Sequence, residues 1–368
     1  MGKTLPTPAS NHLIQALESI EVSQSDEGRS GFQIVFRAGR AGVQDWIDDR
    51  LLKTSSLNPF SRVIVAMVFG VIPKVVIDGI ITHRQFAPSA QLGSSTLTIT
   101  GEDVSIMMDM EERIREHPAQ NEVVIANKII ASYAQYQIIP TVIPPLSFSV
   151  PNPVERIPVQ HGTDLAFLNE LAQRAAYRFF VIPGPLPGAN IGYWGPPVRI
   201  GLPQPALTFN MGAATNVDSI HFQENGLSAT TYQGKVQDSL TDRSLPVRTI
   251  APTRIPLSRN PALLTNPRRT RQFVADTGLN VAEALGRTTA ETDRSVDDVL
   301  TVTGELDGVR YGSVLRAREL VGLRGVGDTY GGLYYVKSVS HRIRPGEYKQ
   351  SFTLTRDGTK TTTPIVPP

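Results

Sequence analysis

The sequence predicts an α+β fold that is mostly β, with two β-rich domains and an α/β domain between them. Three observations point there. Alternating strand-like stretches lie near both ends of the chain: Phe32, Ile34 and Phe36 in one, Tyr348, Gln350, Phe352 and Leu354 in the other. Thirty glycines and 28 prolines in 368 residues provide the many turns of a β-rich chain. Between the ends lies Thr163–Ile182, TDLAFLNELAQRAAYRFFVI, where helical spacing gives way to aromatic and β-branched residues.

In chain order, Met1–Ser10 reads as a flexible lead. Ile20–Val22 and Phe32–Phe36 are strands joined by the turn residues of Ser25–Gly31. Val63–Phe69 and Val75–Thr82 follow, then Thr96–Thr100 with Leu97 and Ile99 inward. These strands make the first β domain, 12–105, a small barrel or sandwich. An α/β domain spans 106–205. In it Asn121 caps a helix through Gln137 that carries Val123, Ala126, Ile130, Tyr133 and Ala134 as its apolar stripe. In Thr163–Ile182, Leu165, Leu168, Leu171, Ala172 and Ala175 line one helix face, and Asp164 favours the positive end of its dipole. Tyr177–Ile182 is the strand that follows, and Pro183–Pro205 is an ordered loop holding Tyr193 and Trp194. Segments 206–240 and 301–358 hold the strands of a second β-rich domain. Its last hairpin turns at Arg344-Pro345-Gly346-Glu347, where Pro fixes φ and Gly takes a positive φ. Residues 359–368 are a flexible tail.

Residues 241–300 stand apart. Arg243 to Arg271 contains seven arginines, five prolines and no acidic residue, a composition that builds no core of its own. It reads as a solvated linker or as an arm, with Arg254, Arg268 and Arg269 laid on an acidic neighbouring surface. Phosphate binding ranks below both, because aromatic interleaving is nearly absent. A helical patch, Asn280 to Leu300, follows.

The sequence offers little chemistry. The net charge of +2 comes from 36 basic and 34 acidic residues and makes no general case for nucleic-acid binding. With no cysteine there is no disulfide, thiolate metal site or cysteine nucleophile. The six histidines are scattered singly, without metal-ligand spacing, and His341 in a strand reads as a hydrogen-bonded core or interface residue. Gly325–Gly331 misses phosphate-loop spacing and precedes a strand. Gly2-Lys3-Thr4 lacks the rest of a phosphate loop. Asp48-Asp49, Glu111-Glu112 and Asp297-Asp298 are adjacent pairs that suit solvated faces. No cofactor, metal or catalytic residue is expected. The N-terminal residues lack a signal-peptide core and the most apolar run, Val63–Ile81, holds Pro73, Lys74 and Asp78, so synthesis in the cytosol without membrane insertion is expected.

Two stretches resemble one family. Asp164, Phe167, Leu168, Leu171, Ala172, Tyr177, Phe179 and Phe180 match the helix–strand signature of the phage late control gene D proteins, baseplate hubs related to the hub half of VgrG spikes. The final hairpin, GLYYVKSVSHRIRPGEYKQSFTLTRDG, is similar to the last barrel of that family at Tyr334, Tyr335, Val336, Ser338, Val339, His341, Gln350, Ser351, Phe352, Arg356 and Gly358. Gly101-Glu-Asp103 resembles the Gly-x-Asp that follows the last strand of the first barrel there.

The resemblance implies two small antiparallel β-barrel domains, 12–105 and 206–240 with 301–358, alongside α/β insert domains, in a structural, non-enzymatic baseplate hub subunit of a contractile phage tail or a phage-tail-like injection system, made in the bacterial cytoplasm. It implies a homotrimeric ring that joins a hexameric tail tube protein to a trimeric spike, with other baseplate components around it. Phe167, Leu168, Phe179, Tyr334, Tyr335, His341 and Phe352 are its structural or interface candidates. A hub fused to its spike continues into an OB domain and a needle; this sequence ends ten residues after Gly358, so a separate spike protein is expected. The alternatives are a β-rich cell-wall-degrading hydrolase and a monomeric surface-binding module.

Overall fold

A computed structural model of the chain describes residues 1, 6–38, 51–70, 72–91, 94–145, 153, 157–184, 186–237, 243–274 and 279–363. Gly2-Lys3-Thr4, Asp48-Asp49 and the last residues of the expected tail lie outside them. The first part holds α1 (Asn11–Ala16) and β1 (Leu17–Ser25), β2 (Gly31–Ala38), β3 (Arg62–Phe69), β4 (Ile72–Ala87) and β5 (Ser95–Asp103). The second holds β6 (Glu112–Glu116), α2 (Glu122–Ala131), β7 (Ile138–Val142), β8 (Val159–Thr163), α3 (Asp164–Arg174), β9 (Arg178–Pro183) and β10 (Asn190–Gly195). Then come β11 (Gln204–Thr208), β12 (Val217–Glu224), β13 (Thr230–Gln237), β14 (Ser244–Arg248), β15 (Ser258–Pro261), α4 (Ala262–Thr265), β16 (Arg269–Val274) and α5 (Val281–Asp297). The chain closes with β17 (Leu300–Asp307), α6 (Gly308–Tyr311), β18 (Leu320–Arg324), α7 (Gly327–Tyr330), β19 (Gly332–Arg344), β20 (Glu347–Arg356) and β21 (Gly358–Thr361).

The fold is mostly β, as expected, but the strands assigned to two barrels belong to one sheet. Its eleven strands run β12-β17-β20-β19-β1-β2-β5-β4-β3, with β18 on the other end of β19 and β11 parallel to β18. The joint is the antiparallel pair β1–β19, with Ile20 opposite Ile343, Val22 opposite His341 and Ser25 opposite Ser338. Local alternation cannot reveal this pairing, because its partners are about 300 residues apart and either strand would alternate the same way beside any neighbour.

Two apolar cores lie on this sheet. One gathers Val22, Phe32, Ile34, Phe36, Leu97 and Ile99; the other gathers Val302, Leu306, Tyr334, Val336, Phe352 and Leu354. Tyr348, Gln350, Phe352 and Leu354 are all buried, so the expected alternation of the last hairpin holds. Gly346 has φ 80°, as its turn requires. Gly101 permits a close approach: a Cβ there would lie 2.2 Å from the Ile80 carbonyl and 2.4 Å from the Phe32 ring. Asp103 caps the short 3-10 helix after β5 by accepting from Ser105 N and also accepts from Ser30 N. The Gly-x-Asp step thus has a packing reason.

The α/β part forms a third core. α3 runs Asp164–Arg174, with Thr163 accepting from Ala166 N at its start. Asp164 does more than favour a dipole: it is buried and accepts from Gln160 Nε2 (2.7 Å), Tyr133 Oη (2.8 Å) and Arg113 (2.9 Å), which ties α3 to β6 and β8. α2 ends at Ala131, short of the expected Gln137. A 3-10 turn and Gln137 at φ 58° reverse the chain so that β7 can pair with β10. β10 itself falls in the expected loop. Its aromatic residues form a strand because both neighbours, β7 and β9, are present to satisfy its backbone, and Trp194 is fully buried with its indole N–H on the Leu168 carbonyl.

The arginine-rich segment is folded rather than a bare linker. β14 and β16 flank β13, and α5 packs on them through Val236, Val247, Leu279 and Ala284. The apolar residues come from outside the segment as well as inside it, which composition of the segment alone does not show. β15 pairs with β21, so Gly358–Thr361 is strand where a flexible tail was expected.

Phe352→Ala should lower unfolding free energy by about 3–5 kcal/mol, because its ring fills the space over Gly304 in the second core. Lys349→Ala removes only half-exposed pairs with Asp218 and Asp307 and should cost about 1 kcal/mol or less. Chemical denaturation of both variants measures the difference, and equal losses would contradict this packing.

Candidate assembly surfaces and the buried junction behind them

The three cores meet at a buried charged junction. Arg318, at φ 71° just before β18, donates to the Ser25 carbonyl (2.9 and 2.5 Å) and to Ser30 Oγ (3.3 Å), and its guanidinium lies 4.4 Å from the centre of the Phe180 ring. One side chain thus holds the turn after β1, the step into β18 and strand β9. Burial pushes its pKa below the ordinary arginine value. Beside it, Arg178 at the start of β9 faces Asp26 at 3.5 Å, and Lys337 of β19 pairs with Asp298.

A second cluster ties the arginine-rich segment into the chain. Asp297, at the end of α5, lies 2.8 Å from Arg199 and 3.5 Å from Arg254, while Arg199 also reaches Asp357 at 3.3 Å. Arg254 donates to the Ala176 carbonyl at 2.5 Å, and Asp357 accepts from Leu257 N and Ser258 Oγ. Asp297 is therefore buried between arginines, not on the solvated face that the Asp297-Asp298 pair was expected to occupy. Burial raises its pKa against the pull of Arg254 and Arg199.

The sequence-predicted residues divide cleanly. Phe167, Leu168, Phe179, Tyr334, Tyr335, His341, Phe352 and Arg254 are buried within the chain. Phe167 stacks on His117, Tyr334 lies under the Arg356 guanidinium, and His341 Nδ1 is 2.9 Å from Tyr348 Oη. Burial lowers the His341 pKa to about 3, so it is a neutral core histidine at the β1–β19 joint. Arg268 and Arg269 are exposed. Arg318, Arg178, Asp26 and Arg199 escape the sequence reading; the partners of each are distant in sequence, so no local spacing marks them. Gly325–Gly331 is a structural cap: its Thr329 and Gly331 carbonyls receive Arg356. Among the described residues no group of three or more His, Asp or Glu could hold a metal ion, and no helix is long and apolar enough to cross a membrane.

Among the described residues, a groove of about 910 Å³ lies between the α/β part and α5. Ile143, Pro144, Tyr177, Tyr193, Pro196 and Leu285 line it. Ile200 and Ile255 at its rim are 72% and 49% exposed, and Leu202 is 97% exposed. Exposed aliphatic side chains beside an apolar groove mark a surface suited to protein contact.

Asp26 gives a pH test of the junction. Burial raises its pKa from 3.8 to about 6, with Arg178 and Lys337 opposing. A raised carboxyl pKa means that its contribution to stability is complete below 3.8 and is lost as pH rises through about 6. Asp26→Asn should therefore gain on the unsubstituted chain by about 2–3 kcal/mol between about pH 4 and about pH 7. Denaturation across that range measures it; a constant difference between the two proteins would contradict the assignment.

No protein-family model and no curated protein matches the chain. Its fold, however, is shared with solved tail proteins. The tail protein from Neisseria meningitidis MC58 superposes with a TM-score of 0.61 at 13% identity, covering 93% of this chain and 92% of that one. The 43 kDa tail protein of prophage MuSo2 from Shewanella oneidensis gives 0.59 at 14% identity, covering 93% and 94%. An Escherichia coli component of the type VI secretion system, described as structurally similar to the T4 bacteriophage tail proteins gp27 and gp5, gives 0.59 at 9% identity, covering 96% of this chain and 77% of that one. The chain has the fold of these tail and secretion-system proteins nearly from end to end.

Proposed function

We propose that the chain is a structural, non-enzymatic subunit of the baseplate hub of a contractile phage tail or phage-tail-like injection system. The observation that carries this reading is the fold shared with tail proteins over more than nine-tenths of the chain. In the reading, three subunits form a ring that adapts a hexameric tail tube to a trimeric spike. The two cores on one sheet support it, since three copies present six such units around an axis. The buried charges support it too. Arg318, Arg199 and Arg254 are hydrogen-bonded or ion-paired to other elements of the chain, which suits a structural role.

A hub must transmit load between tube and spike without its halves sliding. The continuous backbone ladder through β1–β19 provides that, because shear across it would break several hydrogen bonds at once. The groove rimmed by Ile200, Ile255 and nearby Leu202 is the surface most suited to the contact between subunits or with another baseplate component.

Light scattering at micromolar concentration should give three times the 40.1 kDa chain mass, with obligate interfaces on the order of 2,000 Å² or more. A strict monomer, even with its spike partner added, overturns the hub reading.

A further inference from the structure

The sheet β14-β13-β16 ends on β16, whose outer edge no described strand covers. The register sets Arg269 beside Thr230 and Arg271 beside Tyr232. The two arginines therefore share one face of the strand, about 7 Å apart. Arg268 stands just before them. All three are exposed, and among the described residues their side chains have no hydrogen bond or ion pair. The arginines of the buried clusters, such as Arg199 and Arg254, are used inside the chain; these three are not.

We propose that β16 is a docking edge for an extended acidic segment of a neighbouring subunit, which adds to this sheet and sets a carboxylate at every second position against Arg269 and Arg271. The site rests on the reading of the chain as an assembly subunit, since a neighbour supplies the segment. An uncovered edge offers a row of backbone donors and acceptors, and an added strand satisfies them. Guanidinium groups two residues apart match carboxylates two residues apart, because both strands share one pleat. The same charge rejects a second copy of this edge, whose arginines would lie opposite like charges. A nucleic acid fits less well. The one aromatic residue of the strand, Phe273, is half-buried against the core under α5, so no stacking platform is exposed.

The test uses the full chain and a short labelled peptide alternating Glu and Thr. Its controls are a peptide of the same composition with Glu and Thr in blocks, and an oligothymidylate of similar charge. Fluorescence anisotropy should show preferential binding of the alternating peptide, and hydrogen exchange should slow at residues 269–274 in the complex. Arg269→Gln with Arg271→Gln should weaken binding about tenfold with an unchanged circular dichroism spectrum. No binding, equal binding of the two peptides, binding without slowed exchange, or preference for the oligonucleotide each overturns the docking edge. None of these outcomes alters the mass found by light scattering, so failure here is separable from failure of the hub reading.

Discussion

The pairing of β1 with β19 is the constraint on which the rest of the structure depends. It turns two separately cored β units into one sheet, and it does so with backbone hydrogen bonds that leave little freedom of register. Side chains reinforce the joint from both cores. Gln24 donates to the Val76 carbonyl at 2.6 Å and accepts from Ala317 N, Lys74 reaches Ser313 at 2.7 Å, and the rings of Phe69 and Tyr348 lie 6.1 Å apart. A slip of one residue would turn Val22 and His341 from the interior to the solvent face and expose Gln24's partners.

The α/β part is docked onto this joint by charge as well as by apolar packing, in which Ile80 of β4, Val104 and Met108 share its core. Arg318 over Phe180, Arg178 beside Asp26, and the Arg62–Asp78 fork with Asn190 Nδ2 3.2 Å from Asp78 all cross between parts of the chain. Buried ion pairs add modest net stability, since desolvation offsets most of their attraction, but removing one partner costs about 3–5 kcal/mol. Such contacts set geometry more than they set stability. They fix the relative positions of two β units and an insert.

The sequence disclosed local elements and hid long-range ones. The last hairpin was legible because Pro345-Gly346 fixes its turn and Tyr348 to Leu354 alternate. α3 with β9 was legible from the spacing of Leu165, Leu168 and Leu171 and the change at Tyr177. The joining of the two β units was not, because nothing near Ile20 specifies Ile343. The strand around Trp194 was read as loop, since its glycines and prolines outweigh its aromatics until β7 and β9 are placed beside it. The arginine-rich segment was read as coreless, because its core partners, Val236 and Leu279 with Ala284, lie outside it. Of the structural or interface candidates, Arg268 and Arg269 are exposed and the others are buried; hydrophobic signatures such as Phe167 and Tyr334 mark cores first.

The claim that the two β units act as one body through β1–β19 is tested most directly by native-state hydrogen exchange on the intact chain. Amides of 17–25 and 332–344 should exchange together, in the slowest class, at the free energy of global unfolding. Exchange of β1 through a separate, lower-energy opening while β19 stays protected would show two independent units and contradict the account.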